Sequence, residues 1–269
     1  MESLLNGLDA DLKLKLKEQL RDLWTHCSTA LEGNSLTLGE TAFVLKEGLT
    51  IAGKPLKDHQ EVAGHARAIE LLGALLPKGQ LETSDLFELH RAVQTTDIAD
   101  VYSPVGAWKR EENGTYTVDE QGRQLFKYFS APEDVPRLMS DWLARFNTLR
   151  PATAPAALDA YVFAHVSFTR VHPFFDGNGR LARLLSNLPV LRAGLPPIII
   201  SKARRFDYVR ILAAYDLAVG PASAASPELL PPHPKLTEFA ALAEAEWANS
   251  RQLVENAWEQ QRRRAQTVK

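Results

Sequence analysis

The sequence predicts a mostly α-helical fold, because apolar residues recur at helical spacing through most of the chain. The clearest case is the run from Leu12 to Leu20, where leucines alternate with lysine, arginine and glutamate and predict a helix over about residues 8–31. A Gly-Asn pair follows this run, which is a typical signal for a helix C-terminus. One segment, residues 103–130, has a different character and predicts a small β-hairpin.

Turn and strand signals that lie close together predict the hairpin. The dipeptides Asn113-Gly114 and Gln121-Gly122 favour turns, and a β-branched and aromatic run lies between them. Helices are expected on both sides of this segment. They are expected over about residues 38–46, 56–76, from near 84, 132–146, 156–171, 179–191, 205–219 and 235–264.

The composition indicates one point of division in the chain. Residues 220–234 are rich in proline, serine and alanine and predict a linker. We therefore expect one mostly helical domain over residues 1–219, with an N-terminal helix at about 8–33 and a core at about 84–219. A C-terminal helical extension is expected at 235–269.

The overall composition is that of a globular protein, with 45% hydrophobic residues in 269 and a formal net charge of -2. This balance gives no reason to expect binding to nucleic acid or to an anionic membrane surface. No window has the roughly 18 apolar residues of a membrane span, and the N-terminal region lacks the pattern of a signal peptide. Cys27 is the one cysteine of the sequence, so we expect a cytoplasmic protein in a reducing compartment.

Residues 171–183, with the sequence VHPFFDGNGRLAR, carry the strongest chemical signal. A helix is expected to end at His172, because Pro173 has no amide proton and its ring clashes with the preceding turn. The glycines of the DGNG turn allow a ligand to approach the backbone closely. The next helix is expected to begin at about Gly179, where its unpaired amides form a binding site for an anion.

Charged side chains around this turn suit a phosphate ligand. Arg180 and Arg183 are expected in the first turn of this helix, where each cation opposes the macrodipole by roughly 0.3–1 kcal/mol unless an anion is bound. Asp176 suits Mg²⁺, which combines one or two carboxylates with phosphate oxygens, and His172 is placed to accept a proton from an attacking hydroxyl. Structural alternatives are a capping Asp176, a structural His172, and an arginine pair that binds a carboxylate of the same chain.

The segment resembles the signature of the Fic family, written HxFx[DE]GNGRxxR, at every fixed position. The matching residues are His172, Phe174, Asp176, Gly177, Asn178, Gly179, Arg180 and Arg183. So many fixed positions make the motif far more specific than a lone glycine pattern. The resemblance extends over about residues 20–219 and implies a Fic-type helical bundle in which the hairpin is a flap near the active site.

The resemblance implies a protein adenylyltransferase, which transfers AMP from Mg-ATP to a Ser, Thr or Tyr hydroxyl of a protein. His172 would deprotonate the hydroxyl, and Asp176 would hold the Mg²⁺ that bridges the α- and β-phosphates. The expected partner is a protein substrate, which includes the chain itself, and homodimerisation is a further expectation from family relatives.

ATP would be held by positioning and electrostatic stabilisation. The resemblance places the β-phosphate at Arg180 and the γ-phosphate at Arg183, and it places Tyr208 at the border of the adenine pocket. The expected ATP-binding residues are Gly177, Asn178, Gly179, Arg180, Arg183 and Tyr208.

The segment STALEG, which runs from Ser28 through Glu32 to Gly33, resembles the inhibitory motif [ST]xxxE[GN] of the family. Glu32 is expected at the end of a helix, where a negative charge is unfavourable unless a cation is near. We therefore expect Glu32 to pair with Arg183 and to displace the γ-phosphate of ATP. In some relatives the equivalent glutamate also helps water to remove AMP, and the sequence leaves this reaction open here.

The flap aligns the target protein by strand pairing in the family. The segment from Gly106 to Lys109 resembles the start of the flap, and Lys109 stands where arginine is often found. Residues 110–128 form a longer segment than the minimal flap, so the sequence leaves the choice of target protein open. A plain surface hairpin without a role in target binding is the structural alternative.

Three other functional interpretations stay open at the level of sequence. Some Fic-like proteins transfer UMP, phosphocholine or phosphate, although the intact GNGRLAR segment favours AMP. A second alternative is an ATP-sensing binding module with little catalysis, in which Glu32 keeps the site closed. A metal hydrolase that uses His165 and His172 is the third, and no other ligand lies at helical spacing from this pair.

Overall fold

The computed structural model describes residues 5–94, 103–119 and 121–267. The protein is 62% helical with one small two-stranded antiparallel sheet, which confirms the predicted mostly α fold class. The helices are α1 (Ala10–Leu31), α2 (Leu38–Glu47), α3 (Leu56–Ala74), α4 (Thr83–Val93), α5 (Val135–Phe146), α6 (Ala154–Val171), α7 (Asn178–Leu185), α8 (Asn187–Arg192), α9 (Arg205–Val219) and α10 (Pro234–Thr267), and the strands are β1 (Gly114–Val118) and β2 (Gln124–Tyr128). No described helix combines the length and apolar character that crossing a membrane requires.

Local capping interactions fix the helix ends that precede the site. The backbone amide of Glu32 donates to Thr29 O at 3.0 Å, and the next residue, Gly33, has a φ of 101° that ends α1. Thr37 and Glu40 then form a capping box at the start of α2, in which each side chain accepts from the backbone amide of the other. Glu32 is thereby held at the C-terminal end of α1.

The segment expected as one helix over 179–191 forms two helices, and this expectation was wrong. Helix α7 ends at Leu185, and α8 begins at Asn187. Pro189 explains the interruption, because it cannot donate a backbone hydrogen bond to Leu185 and its ring crowds the carbonyl of that residue. Pro189 lies instead in the first turn of α8, where a missing amide proton costs little. The other helices agree with their expected limits to within about one turn.

Helix α6 lies at the centre of the bundle and contacts α5, α7, α8 and α10. Its residues Ala164, Phe168 and Val171 are fully buried together with Trp142 and Phe174. The indole nitrogen of Trp142 donates to Ser167 Oγ at 2.9 Å. Large buried aromatic side chains supply much of the apolar area that stabilises a core. The C-terminal end of α6 is therefore held in place by the core, and His172 follows it directly.

The C-terminal helix α10 packs on the bundle along most of its length. Phe239 and Trp247 are buried in its first half, and Trp247 Nε1 donates to Pro196 O at 2.7 Å. The second half packs against α1, where Arg264 Nη2 lies 2.7 Å from Asp11 Oδ2. The region that the sequence predicts as an extension thus contacts both the core and the helix that ends at Glu32.

The segment predicted as a linker, 220–234, is tied to α6. Arg170 is buried, its Nε donates to Gly220 O at 2.9 Å, and its Nη1 donates to Leu229 O at 3.0 Å. The division of the chain into a domain that ends at residue 219 and an extension that begins at residue 235 stays a prediction. Residues 1–4, 95–102, 120 and 268–269 of the expected ranges lie outside the described residues.

The hairpin pairs Gly114 with Tyr128 and Tyr116 with Phe126, as expected for a flap of two antiparallel strands. Its base lies against the loop of residues 172–178, because Lys109 N donates to Pro173 O at 3.0 Å. The hairpin is therefore placed beside the motif that the sequence analysis identified.

Candidate active site

The site begins where α6 ends. His172 is the C-cap of α6 and has a φ of 54°, which makes it the one non-glycine residue with a positive φ among those described. This left-handed conformation is uncommon for residues other than glycine, although asparagine, aspartate and histidine adopt it more often than most. Together with Pro173 it turns the chain sharply away from the helix, so that the loop of residues 172–178 folds back beside α7.

Phe174 and Asn178 hold this loop closed. Phe174 is fully buried and stacks on His90 with ring centroids 4.0 Å apart. The side chain of Asn178 accepts from Phe174 N at 3.0 Å and donates to Phe174 O at 2.7 Å. Both polar groups of that side chain are thus used within the loop, so Asn178 can reach a phosphate through its backbone amide alone.

The ring of His172 is held in one orientation and one protonation state. Nδ1 lies 3.1 Å from Thr169 O, which can only accept, so Nδ1 carries the proton and Nε2 keeps the lone pair. Burial lowers the pKa of His172 to about 3, which keeps the imidazole neutral near pH 7. The ring of Phe129 stacks on the imidazole with centroids 3.5 Å apart. The fixed ring and the free lone pair on Nε2 are the properties here that suit a general base.

The N-terminus of α7 faces the same cavity as His172. Gly177 is its N-cap with a φ of 79°, and the first amides of the helix lack partners within it. A Cβ atom added at Gly179 would lie 2.5 Å from Glu32 Oε1 and 3.1 Å from Arg183 Nη1. Because glycine leaves that space open, an anionic group can approach this turn closely.

Arg183 lies in the second turn of α7, beyond the first turn in which the sequence analysis expected it. Its Nη2 donates to Glu32 Oε1 at 2.6 Å and to Ser28 O at 2.9 Å, and its Nε donates to Ser28 Oγ at 3.0 Å. Burial opposes the charge of Arg183, but the attraction of Glu32 outweighs it and raises the pKa of the guanidinium. The structure therefore brings together Ser28, Glu32 and Arg183, as the motif comparison led us to expect.

Tyr208 contacts the same guanidinium. Its hydroxyl accepts from Arg183 Nη1 at 3.2 Å and lies 3.1 Å from His165 Nε2. Burial lowers the pKa of His165 to about 3, so the neutral ring can accept from the tyrosine hydroxyl. His165 and His172 thus take separate roles, which removes the basis for a metal site that uses both.

Arg180 is directed mainly towards the end of α4. Its Nη1 donates to Val93 O at 2.8 Å and its Nη2 donates to Gln94 Oε1 at 3.0 Å, while Nη2 also lies 3.6 Å from Asp176 Oδ2. Burial favours the neutral form of Asp176, but the charge of Arg180 outweighs this effect and the pKa of Asp176 is lowered. The Asp176 side chain is 66% exposed, so an ionised carboxylate faces the cavity.

These residues line one cavity of about 480 Å³. Its walls include every ATP-binding, catalytic and metal-binding residue predicted from the sequence, and also Glu32; Ser28 lies behind Arg183. The predicted residues in the wall are Glu32, His172, Asp176, Gly177, Asn178, Gly179, Arg180, Arg183 and Tyr208. Within the described residues, no group of three or more His, Cys, Asp or Glu side chains is arranged to hold a metal ion. A metal here would depend on Asp176 and on oxygens of the ligand, which is the usual arrangement for Mg²⁺ with phosphates.

Sequence reasoning missed several residues that position this loop. His90 Nε2 lies 3.1 Å from Asp176 O, and its Nδ1 accepts from Gly106 N at 2.8 Å. Asn113 Nδ2 donates to Phe174 O at 3.0 Å. These contacts join segments that are far apart in the sequence, so no local pattern marks them.

Lys109, which the sequence analysis assigned to the start of the flap, is buried beside this loop. Its Nζ donates to Asn113 Oδ1 at 2.6 Å. Burial lowers the pKa of Lys109 to about 8. The flap and the loop of residues 172–178 are therefore joined through Lys109 and Asn113.

Comparison with known proteins agrees with this geometry. Residues 80–190 match the Fic/DOC family. The chain is 36% identical over 211 residues to protein adenylyltransferase fic-1 of Caenorhabditis elegans, and 32% identical over 191 residues to protein adenylyltransferase Fic of Drosophila erecta. These alignments cover 75% and 69% of this chain but 38% and 35% of the relatives. The chain thus spans well under half the length of these curated relatives.

Similarity to solved structures covers nearly the whole fold. A Fic domain containing signaling protein from Bacteroides thetaiotaomicron superposes with a TM-score of 0.76 at 25% identity, covering 95% of both chains. A variant of Fic-1 from C. elegans superposes with a TM-score of 0.72 at 27% identity, covering 95% of this chain and 69% of the other.

Fold and site together define a helical protein that presents a neutral histidine beside a helix N-terminus with unpaired backbone amides. More narrowly, the chain belongs to the Fic/DOC family through its domain at residues 80–190.

Proposed function

We propose that this protein is a protein adenylyltransferase that transfers AMP from ATP to a Ser, Thr or Tyr hydroxyl of a protein. The observation that carries the proposal is the neutral His172, with its free Nε2, in the same cavity as the α7 N-terminus and Arg183. The printed names of the aligned relatives, protein adenylyltransferases, support the same activity.

The geometry suits an in-line displacement at the α-phosphorus of ATP. The hydroxyl oxygen of the target forms a bond to that phosphorus, the bond to the pyrophosphate oxygen breaks, and the hydroxyl proton passes to Nε2 of His172. The amides of Gly177, Asn178 and Gly179 would stabilise negative charge on the phosphates. Arg183 would contact the γ-phosphate once Glu32 has moved, and Arg180 would contact the β-phosphate through a partial release from α4.

Asp176 fits a role in holding Mg²⁺, because its carboxylate is ionised, largely exposed and directed into the cavity. The bound ion would neutralise charge on the α- and β-phosphates during transfer. Gln94 Nε2 donates to Asp176 Oδ2 at 3.2 Å, which orients the carboxylate while its second oxygen stays open to a ligand.

Glu32 would inhibit the enzyme by pairing with Arg183 in place of the γ-phosphate of ATP. The carboxylate lies 2.6 Å from the guanidinium and fills the space above Gly179, where the γ-phosphate would otherwise bind. ATP that enters the cavity would then be held in an unproductive position. Removal of AMP by water activated at Glu32 is an additional reaction that the same carboxylate could support.

Other parts of the proposal concern partners and location. The protein substrate includes the chain itself, and a homodimer is the expected assembly. Cys27 is the one cysteine of the sequence and is buried, in keeping with a cytoplasmic protein.

Labelling with ATP that carries ³²P on its α-phosphate tests the proposal. Wild-type protein, Glu32→Gly and His172→Ala are incubated with Mg²⁺ and resolved on a gel, with Glu47→Gly as a matched control because Glu47 also ends a helix but lies on the surface. We expect weak labelling of the wild type and of Glu47→Gly, strong labelling of Glu32→Gly and none of His172→Ala.

Absence of label in every variant that binds ATP would contradict the proposal. It would favour an ATP-sensing module, for which the closed Glu32–Arg183 pair is the supporting contact. Labelling by ATP carrying ³²P on the γ-phosphate, or by α-labelled UTP in place of ATP, would instead identify another transferred group.

A further inference from the structure

Polar side-chain contacts hold the hairpin to the rest of the molecule on two separate sides. On the first side, Asn113 Nδ2 donates to Phe174 O at 3.0 Å and to Phe175 O at 3.1 Å, just before β1. On the second side, Lys127 of β2 forms an ion pair with Asp216 of α9. The turn between the strands makes no comparable contact with the core among the described residues.

The ion pair on the second side is largely shielded from solvent. The side chains of Lys127 and Asp216 are 12% and 11% exposed. Burial raises the pKa of Asp216, and the charge of Lys127 acts against that effect. In an ion pair that is shielded from water, each charge depends on its partner. Removing one partner therefore leaves the other charge buried and uncompensated. The pair therefore fixes the position of β2 relative to α9 more firmly than a surface pair would.

Phe129 connects this ion pair to the catalytic base. Lys127 Nζ lies 4.5 Å from the centroid of the Phe129 ring, and that ring stacks on His172 with an interplanar angle of 5°. Lys127 and Phe129 are two residues apart in extended chain, so their side chains point to the same face of the hairpin. Phe129 N also donates to Asn113 O at 3.1 Å, which extends the pairing of the strands to this residue.

We infer that Lys127 and Asp216 are positioning residues for the transfer reaction: their ion pair docks β2 on α9 and thereby holds the ring of Phe129 against His172. The inference rests on the proposed adenylyltransferase function. In the docked state the imidazole is covered on one face and bound at Nδ1, so Nε2 points in a single direction. Without the ion pair, β2 loses its polar contact with α9, and the orientation of the base is lost before the binding of ATP is lost.

The test compares Lys127→Gln, Asp216→Asn and the charge-reversed Lys127→Asp/Asp216→Lys in a Glu32→Gly background. Arg123→Gln is the matched control, because Arg123 forms an ion pair with Asp119 in the same hairpin but at its exposed turn. Two quantities are measured for each variant. One is the rate constant of self-labelling at saturating α-labelled ATP, and the other is the ATP concentration that gives half of the maximal rate. Melting temperatures show that each variant is folded.

We expect each single substitution to slow labelling at saturating ATP by about tenfold, and the half-saturating ATP concentration to change by less than about threefold, because the loss concerns orientation of the base. The charge-reversed double variant should recover most of the rate, and Arg123→Gln should match the parent. Equal rates for Lys127→Gln and the parent would overturn the inference, as would a slower rate caused by weaker ATP binding alone.

Hydrogen exchange of the backbone amides in Gln124–Tyr128 provides a readout that does not depend on activity. Faster exchange in Lys127→Gln than in Arg123→Gln is the expected result, and equal exchange in the two variants would overturn the docking role. If the Glu32→Gly parent itself fails to label, the proposed function fails, and the exchange experiment still decides whether the ion pair docks the hairpin.

Discussion

The carboxylate of Glu32 occupies the space that a side chain at Gly179 would need, since a Cβ atom there would lie 2.5 Å from Glu32 Oε1. In the proposed function, the inhibitory contact and the bound phosphate would therefore use the same volume. Gly179→Ala should displace Glu32 without freeing the site, because the new methyl group blocks the approach of a phosphate to the α7 amides. Calorimetric titration with a non-hydrolysable ATP analogue should give an affinity reduced by about tenfold, equivalent to about 1.4 kcal/mol.

The double variant Glu32→Gly/Gly179→Ala separates the two effects of that substitution. We expect the weak binding to persist in the double variant, because the methyl group remains. Restored affinity would contradict the view that the phosphate passes close to Gly179.

Removal of the Glu32 carboxylate should lower stability while raising activity. Glu32 is paired with the buried Arg183, but its own side chain is 41% exposed, so the expected loss in the free energy of unfolding is only about 1 kcal/mol. ATP with Mg²⁺ should raise the melting temperature of Glu32→Gly more than that of the wild type, because the γ-phosphate then finds Arg183 free. Thermal shift measurements with and without ATP decide this, and equal shifts would count against competition for Arg183.

The activity of Glu32→Gly should not depend on a group that titrates near pH 6.5. The pKa of His172 is lowered to about 3 by burial, so the base is protonated only in strong acid and remains neutral as the pH falls from 8 to 5. Initial rates of AMP transfer over pH 4.5 to 8 should therefore show no loss with a midpoint between 6 and 7. A midpoint in that range would mean that the imidazole is more exposed to solvent than the structure indicates.

Stability should decrease in mild acid because of other buried histidines. Burial lowers the pKa of His90 to about 4 and that of His165 to about 3. The unfolded chain, with ordinary pKa values near 6.5, binds more protons than the folded chain below that pH, so the free energy of unfolding falls as the pH falls from 6.5 to about 4. Between pH 7 and pH 5 the expected loss is roughly 2 kcal/mol for each of the two residues.

Urea unfolding at the two pH values measures this loss. The double variant His90→Gln/His165→Gln, although less stable at pH 7, should show a smaller decrease between them. An unchanged decrease would assign the acid sensitivity to other groups.

The two halves of α10 should contribute very differently to stability. Trp247→Ala removes a buried side chain from the first half and should cost about 3–5 kcal/mol in the free energy of unfolding. Arg264→Ala removes a solvent-exposed ion pair to Asp11 in the second half and should cost far less, because water screens such a pair. Urea titration of both variants is the measurement, and a similar cost for the two would show that the first half is not the part that anchors the helix.

Most helices could be predicted from the sequence, because their apolar periodicity and end signals are local. The loop of residues 172–178 could be recognised because its proline and glycines constrain the backbone wherever they occur. The break at Ser186 was missed, since the apolar pattern of 179–191 outweighed the single Pro189. A proline in the middle of an otherwise periodic segment gives a strong reason to expect two helices.

The pairing of Glu32 with Arg183 was expected from a resemblance between motifs, and the structure brings the two side chains together. The roles of His90, Asn113 and Asp216 could not be found in the same way, because each acts through a partner in a distant segment. Asn178 illustrates the same limit: its residue type suits a ligand contact, but its side chain is fully used by Phe174.

Helix α1 connects two distant regions of the molecule. An α-helix rises about 1.5 Å for each residue, so the segment Ala10–Leu31 forms a stiff rod roughly 30 Å long. One end of this rod lies against the second half of α10, and the residue after the other end is Glu32. The packing of α1 on α10 and the position of Glu32 beside Arg183 are therefore joined by a single rigid helix.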